Sequence, residues 1–280
     1  MKIIVTGSAG MLGLDVMSEF DRFDHQIIGH DLDSLDITDH DAVEREIKKI
    51  GPDAVIHCAA FTNVDGCETE KRKAFSINAR GAGNIAAACH ASGSKMIYIS
   101  TDYVFNGEKS GPYNEYDSPD PVSVYGMSKY YGERYVEHAC PRSFIVRTSW
   151  LFGSRGHNFV KAILRQASEK RKLAVVVDQW GSPTYTRDLA AFLRELAGTE
   201  YYGTYHATNE GFCTWYDFAK KIIELSNAGI TQIDGVSSAT IKRPAKRPAN
   251  SMLYKNSILA AGLNALPRWE DALKRYFEEK

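Results

Sequence analysis

The stretch YGMSK sets Tyr125 and Lys129 four residues apart. On a helix the two side chains would share one face, one turn apart. Such a pair is either an ordinary surface contact or an acid beside the cation that tunes it, and the spacing by itself does not choose. A second run, YISTDYVFNG (98–107), carries Ser100, Thr101 and Asp102 where an apolar segment ends. A hydroxyl at a strand end, followed by a tyrosine–lysine pair, suits proton-coupled hydride transfer. Hydride arriving at a carbonyl carbon leaves negative charge on the oxygen. A nearby acid must neutralise that charge, and a second donor can stabilise it. Free tyrosine, with a pKa near ~10, exchanges its proton poorly at neutral pH. A lysine ammonium within a few ångströms should lower that value. The catalytic candidates are therefore Thr101, Tyr125 and Lys129.

These residues need a scaffold. The runs KIIVTG (2–7), QIIGHD (26–31), DAVIHCAA (53–60), KMIYIST (95–101) and SFIVRTS (143–149) are apolar on consecutive positions. That pattern predicts strands buried on both faces of a parallel sheet. Helical segments lie between them. Leu12, Val16 and Phe20 share a face after Gly10, and Val43, Ile47 and Ile50 do so in the next segment. The Ala-rich stretch AFSINARGAGNIAAACHASG (74–93) stops at a glycine, a helix C-terminal signal. The alternation predicts an α/β fold, a Rossmann-like doubly wound parallel sheet. After about residue 150 the rhythm changes. Helix-like NFVKAILRQASEK (158–170) precedes KLAVVVD, QWGSPTYT and a further helix, and KRPAKRPANS (242–251) is a basic, proline-broken loop. Residues 1–150 thus read as a dinucleotide-binding domain. Residues 151–280 read mainly as a smaller substrate-facing lobe, with segments returning to the main sheet.

VTGSAGMLG places Gly7, Gly10 and Gly13 at the junction of the first strand and first helix. Glycine permits a tight turn and close backbone approach there, and the helix start offers N–H groups and a positive dipole end to a pyrophosphate. The spacing is G-x-x-G-x-x-G rather than the usual G-x-G-x-x-G, and the alternative is a loop whose glycines serve packing alone. Asp31 closes the second strand, 18 positions past Gly13, where a carboxylate accepts hydrogen bonds from ribose hydroxyls; capping is the alternative. Asp36 is placed to face an adenine, with Thr38 or Asp39 capping the next helix. Ala59 and Ala60 let a cofactor lie against backbone, although packing would also explain them. Lys129 can hold the ribose hydroxyls of such a cofactor. His30-Asp31-Leu32-Asp33 brings no arginine or lysine that would offset a 2′-phosphate, so NADH is expected ahead of NADPH.

The bulk numbers exclude other classes. The 280 residues carry a net charge of -1 and are 44% hydrophobic, so no global field favours nucleic acid or an anionic membrane. No apolar run approaches the ~20 residues of a membrane span. The five cysteines (Cys58, Cys67, Cys89, Cys140, Cys213) are scattered and show no zinc spacing. Free thiols in a reducing cytoplasm are the expectation.

The chain resembles the extended short-chain dehydrogenases/reductases, and most of all the dTDP-4-dehydrorhamnose reductase family. The likeness runs nearly end to end through GSAGMLG, HCAAFTNVD, INARGAGN, STDYVFNG, YGMSKYYGE, RTSWLFG, DQWGSPTYTRDLA and RPANS. It implies an NAD(P)H-dependent reductase of a 4-keto nucleotide-sugar, with Thr101, Tyr125 and Lys129 as its catalytic set. It implies cofactor contacts at Gly10, Met11, Leu12, Asp31, Asp36, Ile37, Ala60, Phe61 and Thr62. Asp102 and Trp150 match positions that meet the nucleotide-sugar, and Tyr103 stands beside them. Trp150 is placed to pack on a sugar ring, with a core role as the alternative. Asn158, Thr184, Arg247 and Ser251 are candidates for the diphosphate and nucleoside. The basic run Lys242–Arg247 suits phosphate, or is a solvated loop. Related dehydratases use Thr-Asp-Glu where this chain has Thr101-Asp102-Tyr103, which favours simple reduction; the intact catalytic set argues against a non-catalytic regulatory subunit. Some relatives form homodimers around magnesium. Thr186-Arg187-Asp188 and the terminal Glu278 and Glu279 form no clear acidic cluster, so no metal is expected in catalysis.

Overall fold

Short β-branched runs become strands here because helices cover both of their faces. The computed structural model describes residues 1–169, 172–226 and 232–279. In its first half β1 (Lys2–Thr6) leads through α1 (Met11–Asp21) to β2 (Gln26–His30), and α2 (His40–Ile50) leads to β3 (Ala54–His57). The short helices α3 (Val64–Thr69) and α4 (Lys71–Phe75) pass through a π-helical stretch, Ser76–Gly81, into α5 (Ala82–Ser92). There follow β4 (Lys95–Thr101), α6 (Val124–Ala139) and β5 (Ser143–Thr148). The second half contains β6 (Leu151–Phe152), α7 (Phe159–Glu169), β7 (Lys172–Val176), β8 (Trp180–Gly181), β9 (Thr184–Tyr185), α8 (Thr186–Ala197), β10 (Gly203–His206), β11 (Cys213–Thr214), α9 (Trp215–Ser226), β12 (Gln232–Val236), α10 (Asn256–Ala260) and α11 (Trp269–Glu278). The helical stretch 158–170 is thus seen through Glu169, and its last residue, Lys170, lies outside the described residues.

The main sheet runs β10-β5-β4-β3-β1-β2, and every pairing in it is parallel. Side chains alternate across it. Ile3 and Val5 meet α1 and α8 on one face, through Val16, Phe20, Leu189 and Leu193. Ile4 faces α2 and α5 on the other, with Val43, Ile47, Ile85 and Ala86. Four of the five apolar runs are buried on both faces. The second departs from that expectation: β2 lies at the edge of the sheet, where Gln26 and Gly29 are exposed. A segment from beyond residue 150, β10, extends the sheet beside β5. A separate apolar cluster holds the second half together, around Phe152, Val160, Tyr185, Phe218, Ile222 and Leu273. No helix among the described residues is long and apolar enough to cross a membrane.

The chain moves from β1 to β2 on one side of the sheet, then crosses back to place β3 on the other side of β1. Ligands of open α/β sheets bind at such a switch, outside the carboxyl ends of the strands. The helix α6 lies over β4 and β5 close to that point. Its N-terminus is capped by the Ser123 hydroxyl, which accepts from the Gly126 N–H at 3.2 Å. Its middle is pinned by Glu133. Arg147 on β5 donates to both Glu133 carboxylate oxygens, at 2.9 and 2.7 Å. Ser100 on β4 donates to Oε1 at 2.6 Å. Ser100 and Arg147 are register partners across the two strands, so one carboxylate ties the helix to both.

The pair is almost wholly dry, with side chains 5% and 1% exposed. Removing one partner of a buried ion pair strands the other charge. Arg147→Met is expected to lower the free energy of unfolding in urea by ~3–5 kcal/mol. Arg134→Met, which breaks the exposed pair with Glu137, should cost under ~1 kcal/mol. Equal losses would mean that Glu133 is relieved by solvent.

Candidate active site

The turn after β1 is packed backbone against backbone. Gly7 has φ +68°, and a Cβ there would stand 2.6 Å from the Ala59 nitrogen. A Cβ on Gly13 would collide with the Gly7 carbonyl. Only glycine lets the loop lie this close to the end of β3. Gly10 forms the N-cap of α1 without a side-chain hydrogen bond, and the first turn holds no acid. Met11, Leu12 and Gly13 therefore begin a helix whose N-terminal amides face no internal anion, the arrangement that receives a phosphate.

Asp31 stands beside this loop. Its Oδ2 accepts from the Ala9 N–H at 3.0 Å and its Oδ1 from the Leu32 N–H at 2.8 Å. Asp36 is engaged locally, accepting from the Thr38 N–H and hydroxyl, both at 2.8 Å. Of the two capping candidates, Asp39 caps α2 by accepting from the Ala42 N–H at 3.0 Å. Ala59, Ala60 and Thr62 line the cleft, as do Asp31, Asp36 and Ile37. Phe61 is held by its backbone: Asn78 accepts its N–H at 2.7 Å and donates to its carbonyl at 3.0 Å.

Thr101, Tyr125 and Lys129 come together in that cleft. It measures about 1300 Å³ and runs from the glycine turn across the strand ends to Trp150 and Trp215. The Thr101 hydroxyl donates to Asp102 Oδ1 at 3.0 Å and accepts from the Tyr103 N–H at 3.2 Å. Tyr103 meets the Tyr125 ring edge-on, with centroids 5.9 Å apart. Lys129 Nζ sits 4.1 Å from the centroid of the Tyr98 ring, a cation–π contact in a dry setting. Burial pushes the Asp102 carboxyl up to about 7, against the hydrogen bonds from Ser251 and Thr101.

The expected direction for tyrosine is overturned. Burial holds the Tyr125 phenol above its ordinary value, and the hydrogen bond with Thr101 only partly opposes it. Burial also draws Lys129 down to about 7, against the pull of Glu133. Sequence reasoning counted the charge of the lysine. It did not count the removal of both groups from water, which is the larger effect here.

The second half meets the expectations unevenly. Trp150 has φ +47° and stacks on Trp215 with centroids 3.5 Å apart and planes 10° apart. Both indoles line the cleft, so Trp150 is at once part of the aromatic core and part of the wall. Asn158 lies behind the cleft; it donates to the Gly153 carbonyl at 2.8 Å and touches Met11 Sδ at 3.5 Å. Thr184 is fully buried, and its hydroxyl is directed at the Ser182 carbonyl at 3.4 Å. Ser251 is buried beside Asp102, and its one hydroxyl proton is shared between that carboxyl and the Trp180 carbonyl at 3.2 Å. Arg247 lines a smaller hollow of about 570 Å³ with Arg243 and Lys246. Its guanidinium is paired with Asp65 of α3 at 2.9 and 2.8 Å, so its charge is already met. Asp188 accepts from Arg275, and Glu279 pairs with Arg187.

Three residues at the site escaped the sequence reading. Trp215 is one aromatic among several in FCTWYDF, and only the fold brings it to Trp150. Asn78 lies in INARGAGN, a motif whose local pattern gives it no task. Glu133 reads as an ordinary helix-surface acid at i+4 from Lys129.

Comparison with known proteins follows the same lines. The sequence profile of the RmlD substrate binding domain family matches residues 1–280. The spore coat polysaccharide biosynthesis protein SpsK of Bacillus subtilis is 40% identical over 280 residues, covering 100% of this chain and 98% of that protein. The dTDP-4-dehydrorhamnose reductase of Aggregatibacter actinomycetemcomitans is 39% identical over 285 residues, covering 98% of this chain and 97% of that protein. A crystal structure of dTDP-4-dehydrorhamnose reductase from Bacillus anthracis in complex with NADP superposes with a TM-score of 0.97 at 42% identity, over 100% of both chains.

The burial of Lys129 has a measurable sign. Its folded value, about 7, lies below the ordinary 10.5. Between those values the unfolded chain binds more protons than the folded one, so this contribution to stability rises with pH. The cost of burial is fully present below about 7 and is gone above the unfolded value. Lys129→Met removes it. The free energy of unfolding of the unaltered chain, less that of Lys129→Met, is expected to rise between pH 7 and pH 10. A difference that stays flat over that range would show a lysine that keeps its proton on folding.

Proposed function

The chain belongs to the RmlD family of dTDP-4-dehydrorhamnose reductases, and on that footing we propose that it reduces a 4-keto nucleotide-sugar. The substrate is dTDP-4-dehydro-L-rhamnose, the product dTDP-L-rhamnose, and the reductant NADH or NADPH. The observation that carries this reading is the meeting of Thr101, Tyr125 and Lys129 in one cleft with the glycine turn. The dinucleotide suits the residues present: a loop whose cradle a Cβ would fill, a helix start without an internal acceptor, and Asp31 at the end of β2. When bound, the reduced nicotinamide supplies hydride to the carbonyl carbon. In this reading Met11, Leu12 and Gly13 face the pyrophosphate, and Asp31 accepts from the adenosine ribose. Ala59, Ala60 and Thr62 form the floor, and Lys129 holds the second ribose.

The chain's own groups handle the proton. Tyr125 is kept protonated by burial, as a donor must be, and gives its proton to the carbonyl oxygen as negative charge gathers there. Thr101 is the second donor to that oxygen. Trp150, backed by Trp215, forms the wall against the sugar, while Asp102 and Tyr103 face it from the end of β4. Residues 1–150 hold the dinucleotide, and residues 151–280 chiefly close the sugar side. Asn158 and Thr184 act through what they support, and Ser251 acts through Asp102.

Two outcomes test this. Tyr125→Phe keeps the ring and removes the proton. The rate of NADH oxidation with the 4-keto nucleotide-sugar should fall ~10²-fold or more, with dinucleotide affinity little altered; near-normal turnover would refute the assignment. The reductant follows from Asp31, whose carboxylate stands at the loop with no cation among His30, Leu32 and Asp33 to offset a 2′-phosphate. Initial rates at low cofactor concentration are expected to give NADH the higher kcat/KM. A higher value for NADPH would mean that Asp31 turns away from the ribose.

A further inference from the structure

A lysine in a dry interior keeps its proton only if something near it favours the charge. Lys129 is 2% exposed. Among the described residues the titratable and charged groups around it are Tyr125 and Glu133 on its own helix, His57 at the end of β3 with Cys58 just after it, and Tyr98 from β4. Burial holds most of these neutral. It presses His57 down to about 3 and pushes the Cys58 thiol up to about 12. Tyr98 and Tyr125 are likewise held above the ordinary phenol range by burial. That leaves Glu133, one helical turn beyond Lys129 and fixed in its ion pair with Arg147.

We propose that Glu133, clamped by Arg147 and Ser100, is the positioning residue that keeps Lys129 an ammonium and so sets the pH range over which the dinucleotide binds. The proposal rests on the reading of Lys129 as the group that holds the cofactor ribose. The geometry explains the clamp. Two bonds from Arg147 and one from Ser100 fix the carboxylate beneath the helix from two neighbouring strands. Its negative charge acts on the lysine from a set direction, and Tyr98 fixes the backbone between them by donating to the Lys129 carbonyl at 3.2 Å. A residue needed only to neutralise Arg147 has no reason to lie at i+4 from the lysine. Asp102 also titrates near the site, but it acts on Tyr125. Binding of NADH therefore isolates the lysine better than turnover does.

The experiment is the pH dependence of the Kd for NADH. In the unaltered chain affinity should weaken as pH rises through the lysine's titration, and Lys129→Met should lose this limb. Glu133→Gln keeps the shape and removes the charge. Its limb should move to lower pH by about one unit or more, which weakens binding about tenfold on the alkaline side and far less on the acid side. Where Glu133→Gln fails to fold, with Arg147 left unpaired, the double variant Glu133→Gln/Arg147→Met removes both charges and should show a displacement in the same direction, reduced by the loss of the arginine's opposing charge. A limb that stays in place in the folded Glu133 variant, while Lys129→Met lacks it, overturns the role given to Glu133. A limb that persists in Lys129→Met, or binding of neither NADH nor NADPH to the unaltered chain, overturns instead the reading on which the proposal rests.

Discussion

The burial of one ammonium group governs the design of this site. Lys129 lines the cleft almost wholly out of water, with its Nζ over the face of Tyr98. A cation there is costly unless it is compensated. Around it stand a ring face, a carboxylate one turn away, and an arginine bonded to that carboxylate. Tyr125 shares the same dry environment, and burial affects it in the opposite sense. The phenol is kept protonated while the lysine is pressed toward losing its proton. The phenol and the amine are thus held on one helix, and the environment of both depends on how that helix is anchored.

The anchor is the parallel sheet. Register places Ser100 opposite Arg147, and this pairing provides the socket for Glu133. The same strands end at the cleft with Thr101 on β4 and Thr148 on β5. The fixing of α6 and the positions of the hydroxyl and phenol are therefore parts of one construction. Beyond them the π-helical stretch carries Asn78, whose side chain grips the Phe61 backbone and also donates to Ser128 on α6 at 3.0 Å. Such stretches break the regular helical ladder; here the break lets one amide span the segment after β3 and α6.

The second half does more than close a lid over this. β10 continues the main sheet, and α8 packs on α1 directly behind the glycine turn. Asp65 on α3 holds Arg247 and also accepts from the Ala245 N–H at 3.1 Å, which ties the basic C-terminal loop to the first half. Trp150, in a positive-φ conformation unusual for a tryptophan, is held there by Trp215.

The sequence by itself determined much of this. Consecutive apolar runs, helical faces and a glycine-rich first turn specify an α/β parallel sheet, because local periodicity reflects which faces are buried. The same local signals bring Thr101, Tyr125, Lys129 and the glycine turn to one end of the sheet, and the structure gathers them in one cleft, since each sits at a predicted strand end or on one helical turn. Only the tertiary structure decided what depends on contacts distant along the chain. It put the second run at the sheet edge, paired Arg247 with Asp65, buried Thr184 and brought Trp215 to Trp150. It also reversed the expected shift of Tyr125, because desolvation depends on everything that packs around a group, whereas spacing reveals only its nearest charged neighbour.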